Sequence, residues 1–162
     1  MTTLAILLIC VIGFIAVCAA TAAAAGGLQS RPDQNEFKVG VSAGIMRCLS
    51  ILLGSVALFG ALGSASSLFH FPIYGAWSSM ILYYGITVGV TYVYSLGIGK
   101  AVSNSVLAGI VMLATSLVAT LAWSFLMSWS YRDLAAPGFS INWVGYVLSF
   151  VAMIAGISAA RK

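Results

Sequence analysis

Five apolar runs, broken by a single charge, dominate this sequence: residues 3–25, 41–64, 76–98, 103–128 and 143–160. A helix needs about 20 apolar residues to cross a hydrocarbon core of about 30 Å. Irregular backbone facing lipid would leave amide groups unpaired at several kcal/mol each, so runs of this kind are predicted to be helices. Arg47 is the one charged residue inside them. Charged residues make up only 6% of the chain, where a soluble domain carries about 25%. That excludes a soluble enzyme, a disordered tail, a collagen-like chain and a secreted disulfide scaffold. The expected fold is an all-α integral membrane protein, a bundle of five transmembrane helices in one polytopic domain over residues 1–162.

The first run ends in an alanine-rich stretch resembling a small-residue cleavage site. No basic residue precedes it, and it is longer than the apolar core of a typical signal peptide, so it is read as a retained helix. Five crossings place the two ends of the chain on opposite sides. The side of the first and third loops and the C-terminus carries Arg31, Lys38, Lys100, Arg161 and Lys162, against Arg132 alone on the other. Basic residues in short loops favour the cytoplasmic side, which predicts an outer N-terminus and an inner C-terminus. With no basic cluster beyond Arg161-Lys162, nucleic acid is not an expected partner. Anionic lipid headgroups are.

The outer loops are aromatic: Phe69, Phe71 and Tyr74 lead to Trp77, and Trp129 and Tyr131 lead to Trp143. Such rings concentrate at the headgroup level, being apolar on one side and polar on the other. The same residues also suit a docking surface for another subunit. A second pattern links the halves of the chain. Ala43-Gly-Ile45 recurs as Ala108-Gly-Ile110, Pro72 as Pro137, and Trp77, one residue further on, as Trp143. This suggests a parallel two-helix repeat, spans two and three duplicated as spans four and five.

In lipid, helices associate through close packing and hydrogen bonds, so small residues mark contact faces. The second span carries Ala43, Ser50, Gly54, Ala57 and Ala61 on one seam, with Arg47 among them. The third has Gly85 and Gly89 as GxxxG, plus Thr87 and Thr91; the fourth has Ser116 and Thr120; the fifth has Gly145, Ser149 and Gly156. These stripes are expected to be helix-packing or partner interfaces. The alternative is a hydroxyl-lined path through Thr87, Thr91, Ser116 and Thr120. Arg47 lies about 9 Å into its span at 1.5 Å per residue. It is expected to snorkel to headgroups or a partner, or to pair with Asp33 or Glu36 in the adjoining loop.

The missing chemistry is equally informative. Proton-coupled pumps and rotor proteolipids use a carboxylate inside a span, but Asp33, Glu36 and Asp133 all fall in predicted loops. His70 stands alone in an outer loop, and Cys10, Cys18 and Cys48 lack metal-ligand spacing. They read as small buried hydrophobes. No catalytic residues, metal or cofactor are assigned, though structural lipids are expected. The reading is a non-enzymatic accessory subunit of a membrane complex, stabilising neighbouring transmembrane subunits and lipid in a hetero-oligomer. The alternative is a small transporter or channel for a neutral or polar solute, acting as a homo-oligomer.

Overall fold

The structure, a computed structural model, describes residues 2–30, 35–70, 76–130 and 143–162. Among them every regular element is helical: α1 (Thr3–Gly27), a 3₁₀ turn (Leu28–Ser30), α2 (Glu36–Phe69), α3 (Ala76–Ala101), α4 (Ser105–Ser130) and α5 (Trp143–Ala160). Thr3–Gly27, Glu36–Phe69 and the Ile81–Ala101 stretch of α3 are long and apolar enough to cross a membrane. Shorter apolar stretches, Ser105–Leu121 and Val144–Ala160, lie in α4 and α5.

Side chains at the helix ends account for the boundaries. Asn35 caps α2, its Oδ1 accepting the Phe37 amide at 2.8 Å. This satisfies one of the donors that every helix N-terminus leaves unpaired. The cap corrects the expected start at residue 41 and turns Glu36, expected in a loop, into the first residue of a helix. Helix geometry continues past the apolar run because polar flanks in water do not break it. Asn104 opens α4 in the same way, its Oδ1 receiving the Leu107 amide at 3.3 Å. At the other end of α2, His70 adopts a left-handed conformation, φ 53°, a backbone state that stops a helix.

Small residues then let the backbones approach. α1 runs antiparallel to α2: Gly13 faces Ala57, and a Cβ on Gly60 would stand 2.7 Å from the Cys10 sulfur. α2 and α4 run parallel: a Cβ on Gly40 would meet the Ala108 carbonyl oxygen at 2.6 Å, and one on Gly44 the Met112 carbonyl oxygen at 2.7 Å. α3 and α5 also pair in parallel, with Gly156 against the Tyr92 carbonyl oxygen and Gly99 against Ile157. Gly97 against the Ala25 carbonyl oxygen joins the end of α3 to the end of α1. The repeated Ala-Gly-Ile segments have unlike neighbours. Gly44 receives α4, and Gly109 receives Met153 of α5.

The apolar core sits toward one end of the bundle. Val39 and Ala43 of α2, Tyr94 and Ile98 of α3, Ala108 and Met112 of α4, and Met153 and Ile157 of α5 form it. The exposed bases Lys38, Lys100, Arg161 and Lys162 lie at this same end, hereafter the basic end. There the Arg161 guanidinium donates to the Ser103 carbonyl at 2.9 Å and to Ser105 Oγ at 2.7 Å, while the Ser103 hydroxyl faces the Glu36 carboxylate at 3.4 Å. The end of α5, the α3–α4 turn and the start of α2 are thereby tied together.

Candidate functional site

The polar centre of the molecule is built around Arg47. The side chain is 3% exposed. Its Nε donates to Thr91 Oγ1 of α3 at 2.8 Å, one terminal nitrogen to Ser116 Oγ of α4 at 2.6 Å, and the other to Ser149 Oγ of α5 at 2.7 Å. One guanidinium therefore joins α2 to three other helices.

Register explains why these residues meet. Arg47 stands eleven residues from Glu36, Ser116 eleven from Ser105, Thr91 ten from Ala101 and Ser149 eleven from Ala160, each counted from the basic end of its helix. At 1.5 Å per residue all four lie about 16 Å deep. The hydroxyl at that level on each neighbouring helix presents an oxygen to the same charge. The snorkelling expectation is corrected accordingly. The guanidinium turns into the bundle, where three acceptors take all three of its nitrogens. Pairing with Glu36 is corrected too, because that carboxylate is at the basic end beside Ser103; Asp33 lies outside the described residues.

The hydroxyls spread the charge into the backbone. Thr91 donates its own proton to the Thr87 carbonyl at 2.6 Å, and Ser149 to the Gly145 carbonyl at 2.6 Å. Thr120 donates to the Ser116 carbonyl at 2.8 Å and touches the Cys48 sulfur at 3.6 Å. A hydrogen bond to a charged group is worth about 1.5–3 kcal/mol, so three of them bind the four helices strongly. The phenols of Tyr83 and Tyr146 border the guanidinium. A second, neutral chain runs beside it: Thr21 Oγ1 of α1 lies 2.9 Å from Ser50 Oγ of α2, which lies 3.3 Å from the Tyr94 hydroxyl of α3. Among the described residues Ser55 Oγ is the one buried side-chain polar atom without a partner, and no three His, Cys, Asp or Glu side chains gather.

The structure sorts the sequence-predicted residues into groups. Ala43, Ser50, Gly54 and Gly156 lie buried between helices, as does Gly145 beside the Tyr84 ring. Ala57 and Ala61 are half-buried on the α1 side of α2. Gly85 and Gly89 are exposed, and a Cβ on either would meet nothing within 4 Å. Gly89 and Gly54 line an apolar groove of about 200 Å³ between α1, α2 and α3, with Phe14, Val17 and Ile86. Of the proposed path, Thr91 and Ser116 meet at Arg47, Thr120 adjoins them, and Thr87 bonds its own helix at the Tyr83 carbonyl. Phe69 is exposed. Trp77, Trp129 and Trp143 occupy the turns of α3, α4 and α5 farthest from the basic end; Phe71, Tyr74 and Tyr131 lie outside the described residues.

Sequence reasoning found Arg47 and the hydroxyl stripes but not their convergence. Matching depths from a common end would have found it, had α2 been started at Glu36. The ensemble defines a helical bundle with membrane-length helices organised around a buried cation. No protein-family model matches the chain, and neither a curated protein nor a solved structure matches it.

Proposed function

We propose that this chain is a small non-catalytic subunit of a multi-subunit membrane assembly. It crosses the bilayer five times, with its N-terminus outside and its basic end at the cytoplasmic face. It holds neighbouring transmembrane subunits and structural lipid against its exposed faces. The observation that carries this reading is the open GxxxG pair, Gly85 and Gly89. Among the described residues the buried polar side chains, Ser55 apart, are satisfied within the chain, so the bundle needs no partner to complete its interior. Yet a face of the kind that seats a second helix is left uncovered. Mild solubilisation of the native membrane, followed by sizing and mass analysis, tests it. The expected species is larger than the 16.8 kDa chain and contains other integral membrane polypeptides. A stable monomer without companions overturns it.

A second reading, a homo-oligomeric transporter or channel for a small polar solute, draws on the convergence of Thr91 and Ser116 at Arg47. Flux through the purified chain in liposomes would support it. Unchanged flux after bulky apolar replacement of Thr87 and Thr120 would count against a path along that stripe.

A further inference from the structure

Among the described residues the charge on Arg47 is solvated but meets no opposite charge. A guanidinium carries five N–H donors and no acceptor, and its three hydroxyl partners are neutral groups. Two of them have already committed their protons to backbone carbonyls, so what they offer the cation is dipoles. The one acidic side chain among the described residues, Glu36, is eleven residues away along α2, about 16 Å by helix rise, and faces Ser103. Arg47 stands six residues inside the apolar run that opens at Val41, where burying a charge in hydrocarbon is costly. An intramembrane ion of this kind pairs with something or marks a ligand pathway.

We propose that the Arg47 layer binds a small monovalent anion, with chloride as its simplest representative. The site presents one positive charge with donors on both terminal nitrogens, the arrangement with which arginine grips anions. The phenol of Tyr83 stands at its border, and that of Tyr146 hydrogen-bonds the guanidinium itself. A monovalent ion cancels the single charge, whereas a dianion would replace one uncompensated charge with another. The enclosure of the side chain, 3% exposed, selects a halide- or nitrate-sized ion over an organic acid. The inference holds equally for a subunit and for a free-standing chain.

Thermal unfolding of the purified chain in detergent, at constant ionic strength with chloride exchanged for gluconate, tests it. Chloride and bromide should raise Tm saturably, by roughly 3 °C or more near saturation. Arg47→Gln should remove the dependence, and Tyr146→Phe should move half-saturation to higher halide. Equal Tm in chloride and gluconate, or a halide effect that survives in Arg47→Gln, overturns the proposal. If Arg47→Gln does not accumulate folded, chloride-35 line broadening by the wild-type chain decides. Broadening that bromide competes away supports the site, and broadening no greater than that of empty micelles overturns it.

Discussion

The two ends of the bundle are built from the same small residues, and most of those in α2 to α5 are packed tightly at one end and openly at the other. Toward the basic end, a Cβ on Gly40, Gly44, Gly97, Gly109 or Gly156 would come within 2.8 Å of another helix. Away from it, Gly60 still meets Cys10 of α1 at 2.7 Å, but Gly63, Gly85 and Gly89 have nothing within 4 Å, and α1 turns Leu4, Leu8 and Ile12 outward. The Arg47 layer lies on the boundary. Glycine spacing therefore permits close approach but does not say which helix approaches. Where four helices are drawn together by one guanidinium and one apolar core, the glycines are used internally. Where the helices part, the same motif is left on the surface, and lipid or another chain must cover it.

The harshest challenge to this contrast is a large side chain in the tight half. Gly44→Leu drives a branched side chain into the Met112 carbonyl and the Thr115 side chain. Neither can retreat without parting α2 from α4. The expected loss is about 3 kcal/mol or more, the upper range for overpacking, seen as a large fall in Tm or in folded yield. Gly85→Leu in the loose half serves as the control and should leave the isolated chain's Tm nearly unchanged. Equal damage at both positions would abolish the distinction.

Next in size is the boundary itself. Ser149→Ala removes one acceptor from Arg47 and leaves a charged N–H without its partner. A lost hydrogen bond to a charged group costs about 1.5–3 kcal/mol. Thr91→Val should do the same from α3. The double variant should be less destabilised than the sum, because both residues serve one cation and neighbours in a shared network do not add. Strict additivity, read from unfolding curves, would mean that the two contacts are independent and that the layer is not a single hub.

How much of this was legible beforehand depends on what each feature needs. The helices follow from length and apolarity alone, and the spans from residues 76 and 143 begin where α3 and α5 do. The start of α2 lies five residues before the apolar run because Glu36 and Lys38 interrupt the apolar signal of Phe37 and Val39 there. Counted from the cap, Arg47 is the twelfth of the 34 residues of α2, level with the hydroxyls of its neighbours, a match that a count from residue 41 hides. The Thr and Ser stripes at intervals of four were visible. Their assembly at Arg47 is a property of register between helices, which one helix's sequence does not contain. The GxxxG pair was visible as well, but its open position depends on where α1 and α5 lie.

The smallest expected stability effect is the one that bears most directly on partnership. Gly85→Ala and Gly89→Ala add a methyl group where nothing stands within 4 Å. Each also removes a flexible glycine from a helix interior, worth about 0.5–1 kcal/mol in favour of alanine. The isolated chain should therefore unfold at the same or a slightly higher temperature. In native membranes the same variants should behave differently, because small residues at an interface set how closely a second backbone can approach. Blue-native electrophoresis should show less of the large species and more free chain. The two readings together separate the explanations. A chain that is destabilised in isolation places the glycines in an internal contact. A chain that is neutral in isolation and still fully assembled leaves that face to lipid, and moves the search for the interface to another surface of the bundle.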